Sequence, residues 1–437
     1  MPASLAPVAA LLLAVLSLQV GNALINTLVP VRGQLEGWST GLIGLLGTAY
    51  FLGFALGCFL CPLAVRRAGH IRAFAAGAAV AASCLLALPL LPHPIVWAVL
   101  RALMGLCFAG LFMVIESWLN ERATSANRGQ LFGTYQVLVY VGATLGQNLL
   151  GVREVTGPDL FSISAIMLTL ALVPVAMTAS TAPKPIRRVR VDLRWLAQSS
   201  PLAFAGCLMV GAVNGAIWSL APVYAQSQGL SPDQVGWFMA ALITGGAVSQ
   251  WPVGKMSDRV DRRWMIVAAA LISSVGGILL MTSYGGTLPM LLVLAAFYGA
   301  FSLTIYSLCV AHVNDIADPE RFVEVASGTL LMYGIGATVG PLVASGLMEA
   351  RGVPLLFAYT AALHLGLALF CAWRLMTLQR PVPEDRPAFV VTVPRTSPMP
   401  PNLDPRTKQA AGTAGGETGS DVAAPLVPAR EGRGAFG

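Results

Sequence analysis

One arginine lies inside a long apolar run of the sequence. A charged guanidinium is costly there unless an interaction or a function offsets the cost. Arg101 lies about seven residues into the run 94–119, roughly 10 Å from its start if the run is helical. Within a membrane span such a charge costs at least about 2.5 kcal/mol near the centre and somewhat less at this depth. Glu116 follows about 22 Å further along the same helix, too far for an ion pair. We therefore expect Arg101 to face a wet cavity, where it can hold an anionic solute or lower the pKa of a protonatable group; snorkelling to the surface is the alternative.

Side-chain amides provide the second chemical signal. Gln19, Asn22 and Asn26 recur at i, i+3 and i+7, so they share one face of a helix. Amides are costly against lipid, which predicts that this face looks into a helix bundle. Asn214 and Trp218 occupy the matching positions of an internal repeat described below. These residues are candidate solute contacts, and hydrogen bonding between helices is the other interpretation.

Membrane-spanning helices must position these residues, as the composition indicates. Hydrophobic residues make up 56% of the 437 residues and charged residues only 11%, where soluble proteins carry about 25%. A span needs roughly 20 mainly apolar residues. Runs of this kind predict an all-α membrane protein with twelve transmembrane helices, at about 8–31, 39–65, 71–92, 94–119, 129–151, 159–180, 201–225, 233–256, 264–284, 287–313, 322–348 and 353–377.

The runs fall into two sets of six, separated by a basic linker and followed by a polar tail. The tail is rich in Pro, Gly, Thr and Ala and has too few large apolar residues to fold, so we expect it to be disordered. The predicted segments are a first bundle, a cytoplasmic linker, a second bundle and a cytoplasmic tail, at 1–180, 181–200, 201–378 and 379–437.

The loop charges predict the orientation. One side collects most of the Lys and Arg residues, in the loops at 66–72, 122–128, 184–194, 255–263 and at 321. The other side has Arg32, Arg153 and Arg351. The positive-inside rule therefore predicts that both termini and the linker are cytoplasmic. The formal charge of +7 thus reflects membrane orientation, and we do not expect a nucleic-acid partner.

The two sets of runs are copies of each other. A shift of 192 residues, later 194, superposes residues of the first half on identical residues of the second. The matches include Asn22 with Asn214, Pro30 with Pro222, Gln34 with Gln226, Gly105 with Gly299, and Gly142-Ala143-Thr144 with Gly336-Ala337-Thr338. Six helices per copy keep both copies in one orientation, which predicts parallel repeats around a site near the membrane midplane.

The motifs resemble those of the major facilitator superfamily, over residues 8–377. The segment 254–263 resembles the signature loop G-x-L-x-D-R-x-G-R-R, with Asp261 in place of Gly, and Arg101 with Gly105 resembles the R-x-x-x-G motif. Segments around Glu116 and 236–252 are similar to the YcaD-type branch. The resemblance implies that spans 1, 4, 7 and 10 line the cavity, which adds Tyr298 of span 10 as a candidate solute contact.

The same resemblance implies gates at the cytoplasmic side. The family's loop latches that side by charge pairing, a role that falls here on Asp258, Arg259 and Arg262, and on Arg67 in the degenerate first copy. Alternatively, the loop only sets the topology. Glu116 lies near the cytoplasmic end of span 4, where it is expected to pair with Arg128. That pair is either a gate that breaks on inward opening or a permanent salt bridge.

The function predicted from this resemblance is secondary transport of a small solute across a bacterial inner membrane by alternating access. Export is one option for its direction, and protons are one option for its coupling ion. The sequence shows no ATP-binding P-loop, no Ser/His/Asp grouping and no metal-ligand cluster, so we expect neither an enzyme nor a cofactor or metal. A monomer in contact with membrane lipid is the expected state. The alternative from another class is a non-transporting receptor or scaffold.

Overall fold

The computed structural model describes residues 9–123, 128–177, 192–318 and 321–377, and these are almost entirely helical. The predicted tail and most of the linker lie outside the described residues. The helices are α1 (Ala9–Leu35), α2 (Thr40–Ala68), α3 (His70–Leu90), α4 (Pro94–Arg122), α5 (Arg128–Asn148), α6 (Asp159–Ala176), α7 (Leu193–Ser199), α8 (Pro201–Ser227), α9 (Pro232–Arg259), α10 (Arg262–Thr282), α11 (Leu288–Ser302), α12 (Ile305–Asn314), α13 (Phe322–Arg351) and α14 (Leu355–Thr377).

Ten segments of the described chain are long and apolar enough to cross a membrane, with α11 and α12 together forming one of them. The other two spans, α5 and α9, are less apolar. They pack against each other across the boundary between the two halves. The short helix α7 precedes α8. The architecture confirms the prediction of twelve spans arranged as two six-helix copies.

The predicted tenth span is divided into two helices at Leu303 and Thr304. Gln250 of α9 donates a hydrogen bond from Nε2 to the Leu303 carbonyl, at 3.2 Å. The Thr304 hydroxyl donates to the Phe301 carbonyl at 2.7 Å. Both side chains thus engage backbone carbonyls at the break.

The internal repeat recurs in the turns that open the second span of each half. Gly37 and Gly229 have φ of 75° and 80°, values that favour glycine. Ser39 and Ser231 follow them and cap α2 and α9, Ser231 within a capping box. The two turns are thus equivalent in sequence and conformation.

The repeat also recurs in helix packing. A Cβ on Gly105 of α4 would lie 2.0 Å from the Tyr50 carbonyl of α2. In the second half, a Cβ on Gly299 of α11 would lie 2.0 Å from the Leu242 carbonyl of α9. Each glycine therefore lets two backbones touch, as small residues do in membrane bundles. The shift that relates the sequences relates these contacts as well.

The two halves meet through α1, α2 and α5 on one side and α8, α9 and α13 on the other. A Cβ on Gly44 would lie 2.8 Å from the Pro341 carbonyl, and its repeat equivalent Gly236 would place one 2.4 Å from the Gln147 carbonyl. Both contacts lie near the end of the bundle that lacks the basic loops, which we call the outer end. The opposite end, with the loop 254–263, is called the basic end.

Candidate functional site

Arg101 lies one to two turns below the outer end of α4. The helix begins at Pro94, and His93 caps it by accepting a hydrogen bond from the Ile95 amide at 3.3 Å. The Arg101 side chain is only 4% exposed. It therefore lies inside the bundle and does not reach the surface, as snorkelling would require.

Two neutral residues contact the guanidinium directly, and a third links them. Arg101 Nη2 donates to Asn26 Oδ1 at 2.8 Å, and Asn26 Nδ2 donates to Asn22 Oδ1 at 2.9 Å. The Tyr50 hydroxyl donates to the same Asn22 oxygen at 3.1 Å. Arg101 Cζ lies 4.4 Å from the centroid of the Tyr50 ring, in cation–π contact. We call these four residues the Arg101 cluster.

The R-x-x-x-G spacing explains how the cluster is assembled. Gly105 lies one turn after Arg101 and brings the α2 backbone against α4 at Tyr50. The Tyr50 ring is thereby held beside the guanidinium. From α1, Asn26 accepts from the guanidinium and Asn22 accepts from the Tyr50 hydroxyl. Sequence reasoning identified Arg101, Asn22 and Asn26 but missed Tyr50, because an aromatic residue in an apolar span usually only packs.

The guanidinium is incompletely satisfied. Among the described residues, Arg101 Nε and Nη1 have no hydrogen-bond partner although both atoms are buried. No carboxylate of the described chain forms an ion pair with Arg101. A buried donor without a partner costs about 1–3 kcal/mol, and more when it is charged. The cluster is thus a cationic site with donors left over.

The other predicted contacts lie outside this cluster. Gln19 is buried against α5, where a Cβ on Gly142 would lie 3.0 Å from Gln19 Cβ. Asn214 and Trp218 are buried on α8, and Asn214 Oδ1 has no partner among the described residues. Tyr298 packs inside the second half, with its ring centroid 5.5 Å from that of Phe357 on α14. The structure therefore does not bring Tyr298 to Arg101.

Polar residues of α5 form further hydrogen bonds that were not predicted from the sequence. Thr27 of α1 donates its hydroxyl to Gln147 Oε1 at 2.6 Å. Gln250 of α9 donates to the Tyr140 hydroxyl at 3.1 Å, which joins the two halves. The low hydropathy of α5 and α9 was the available signal for these contacts.

Glu116 is fully buried in α4, towards the basic end. It accepts a hydrogen bond from the Tyr135 hydroxyl of α5. The side chain of Arg128, its predicted partner, lies outside the described part of the structure. Tyr135 was not anticipated, because nothing in its sequence context distinguishes it from a packing residue.

The loop at the basic end ties three helices of the second half together. Arg262 is 1% exposed and contacts two carboxylates, Asp258 at 3.2 Å and Asp315 at 2.8 Å. Asp261, in the loop, is paired with Arg263 at 2.7 Å. Burial alone would raise the Asp261 pKa, but the hydrogen bonds from Arg263 outweigh it and hold the pKa below its ordinary value. Arg259 and its first-half counterpart Arg67 are exposed.

Known proteins similar to this chain are transporters. The model of the Major Facilitator Superfamily matches residues 11–194 and 202–414. The uncharacterized MFS-type transporter YE1530 of Yersinia enterocolitica is 29% identical over 391 residues, 88% of this chain and 98% of that protein. The uncharacterized MFS-type transporter YcaD of Escherichia fergusonii is 28% identical over 358 residues, 82% of this chain and 92% of the relative.

Solved structures show the same fold. The nucleoside transporter NupG superposes with a TM-score of 0.71 at 12% identity, over 85% of this chain and 99% of that one. A bacterial homolog of the human lysosomal transporter Spinster, inward-facing and occupied, superposes with a TM-score of 0.67 at 17% identity, over 84% and 96%. Together with the family model and the twelve-span architecture, these likenesses show that the chain belongs to the Major Facilitator Superfamily, as a multi-pass membrane transporter.

Proposed function

We propose that this chain is a secondary active transporter that moves a small solute across a bacterial inner membrane, with the Arg101 cluster as part of its binding site. The observation that carries the proposal is a buried guanidinium that donates to Asn26 of α1, with Nε and Nη1 unpaired among the described residues. Polar groups inside a span are costly, and they mark substrate pathways in membrane proteins. Asn214 and Trp218 on α8 would contribute from the second half.

The way in which the two halves meet supports a mechanism of alternating access. Close contacts at Gly44 and Gly236 join the halves near the outer end, and these two positions are related by the internal repeat. Rocking of the two copies about such a symmetric seam would open either end in turn. Gradient energy would drive the cycle, with protons as one coupling ion and export as one direction.

The gates would lie at the basic end, which the positive-inside rule predicts to be cytoplasmic. The ion pairs of Arg262 with Asp258 and Asp315 hold the loop 254–263 against the second half of the molecule. In this proposal it exchanges contacts with the first half, together with Arg259 and Arg67, when the basic end closes. Glu116 and Arg128 would form the matching gate in the first half.

Flux through purified protein tests the proposal. Proteoliposomes are loaded with a mixture of isotopically labelled metabolites of all charge classes, and efflux is followed with and without a pH gradient. A transporter accelerates the efflux of at least one solute over protein-free liposomes. Liposomes that remain inert across the whole mixture would favour a non-transporting receptor or scaffold.

A further inference from the structure

Charge balance in the Arg101 cluster limits the chemistry of the solute. Asn22, Asn26 and Tyr50 are neutral, so the cluster as built carries the single positive charge of Arg101. The nearest acid on α4 is Glu116, about 22 Å along the helix at about 1.5 Å per residue. At that distance its carboxylate does not neutralise Arg101 directly.

The second half offers no further charge at the equivalent positions. The repeat places Ala295 opposite Arg101, Leu242 opposite Tyr50 and Trp218 opposite Asn26, and all three are buried. The described residues at these positions thus include no second cation to neutralise a dianion. They also include no carboxylate to bind an ammonium group.

The orientation of the guanidinium is fixed before any solute binds. The Nη2 hydrogen bond to Asn26 and the Tyr50 ring hold its plane, which leaves Nε and Nη1 as donors. Oxygen atoms that bear negative charge make the strongest acceptors for such donors, and the guanidinium matches a carboxylate better than an ammonium would.

We infer that the solute is an organic monoanion whose carboxylate-type oxyanion neutralises Arg101, with the remainder of the molecule uncharged. The inference rests on the proposed transport function and adds the substrate class to it. In this inference the oxyanion accepts hydrogen bonds from Nε and Nη1 of Arg101.

Matched probes test this substrate class by thermal unfolding of the purified full-length protein in nanodiscs. Each probe set keeps one skeleton and changes one group: benzoate, benzamide and benzylamine; hexanoate, hexanamide and hexylamine; lactate and lactamide. Sulfate and succinate serve as dianions. We expect stabilisation by at least one carboxylate and none by its amide or amine.

Two variants locate the effect. Arg101→Gln removes the charge and should weaken binding of the carboxylate about ten- to hundredfold, as expected for a lost charged hydrogen bond. Asn26→Asp places a carboxylate where Asn26 Oδ1 now accepts from Arg101, so an internal counter-ion should displace the probe and raise the melting temperature without probe. Arg153→Gln, in an exposed outer loop, is the matched control and should bind like wild type.

The outcomes separate the substrate class from the transport function. Carboxylate-selective binding that is lost in Arg101→Gln and Asn26→Asp supports the inference. Binding and flux of an amide, amine or dianion that survive in Asn26→Asp would overturn the substrate class while transport stands. Absence of both stabilisation and flux for every probe and for the metabolite mixture would overturn the transport function itself.

Discussion

Two buried arginines, one in each half of the molecule, have opposite electrostatic surroundings. Arg262 at the basic end is 1% exposed and contacts both Asp258 and Asp315. Arg101 is 4% exposed and contacts the Asn26 amide and the Tyr50 ring, without a carboxylate among the described residues. The charge of Arg262 is neutralised within the protein, whereas no carboxylate of the described residues neutralises Arg101. This difference is the reason for proposing Arg101, and not Arg262, as a solute contact.

The largest effect is expected when the arginine that has carboxylate partners is replaced. Arg262→Gln leaves Asp315 buried without its cation, and loss of one partner of a buried pair costs about 3 kcal/mol or more. We expect a lower melting temperature and lower membrane abundance. Thermal unfolding of the purified variant measures the change. A wild-type melting temperature would show that this pair does not support the fold.

Alanine variants of two equivalent glycines distinguish an effect on helix packing from an effect on solute binding. Gly105→Ala and Gly299→Ala each force a Cβ against a backbone carbonyl, so both should destabilise the protein by about 1–3 kcal/mol. Only Gly105→Ala displaces Tyr50 beside Arg101, and only it should weaken solute binding, by about tenfold. Binding and unfolding are measured on both variants. Equal loss of affinity in the two would indicate that Tyr50 has no specific role.

The smallest effect on stability is expected for Asp258, the partly exposed partner of Arg262. Asp258→Asn keeps Asp315 in place and should cost less than about 1 kcal/mol, because exposed pairs contribute little. We expect normal expression and a shift in the balance between states open at either end. Labelling rates of single cysteines on the basic-end faces of α4 and α12 report that balance. Identical rates in the variant and the parent would leave the loop with only a topological role.

Periodic signals in the sequence were enough to predict the fold. Apolar runs gave the spans, and the fixed offset between Asn22 and Asn214 gave the repeat that recurs at Gly105 and Gly299. The break of the tenth span could not be predicted in this way. The Leu303 carbonyl at the break accepts a hydrogen bond from Gln250 of another helix, a contact between residues distant in the sequence.

Prediction of the candidate site was partial for a physical reason. Arg101 and the α1 amides stand out because polar groups are costly in apolar runs, so their types alone indicate a special environment. Tyr50 and Tyr135 do not stand out, since an aromatic ring suits an apolar span with or without a polar partner. Tyr298 was assigned to the cavity from its span alone, and the structure packs its ring against Phe357 of α14.

The central claim is that the planar guanidinium of Arg101 binds the solute. Arg101→Lys keeps the charge and most of the reach, but it loses the donors that contact Asn26 and bind the oxyanion. The decisive measurement is solute flux in proteoliposomes with equal amounts of wild-type and Arg101→Lys protein, using Arg153→Lys as the control. We predict that Arg101→Lys loses at least about tenfold in flux at normal membrane abundance, while Arg153→Lys matches wild type. Wild-type flux from Arg101→Lys would contradict the proposal that this guanidinium binds the solute.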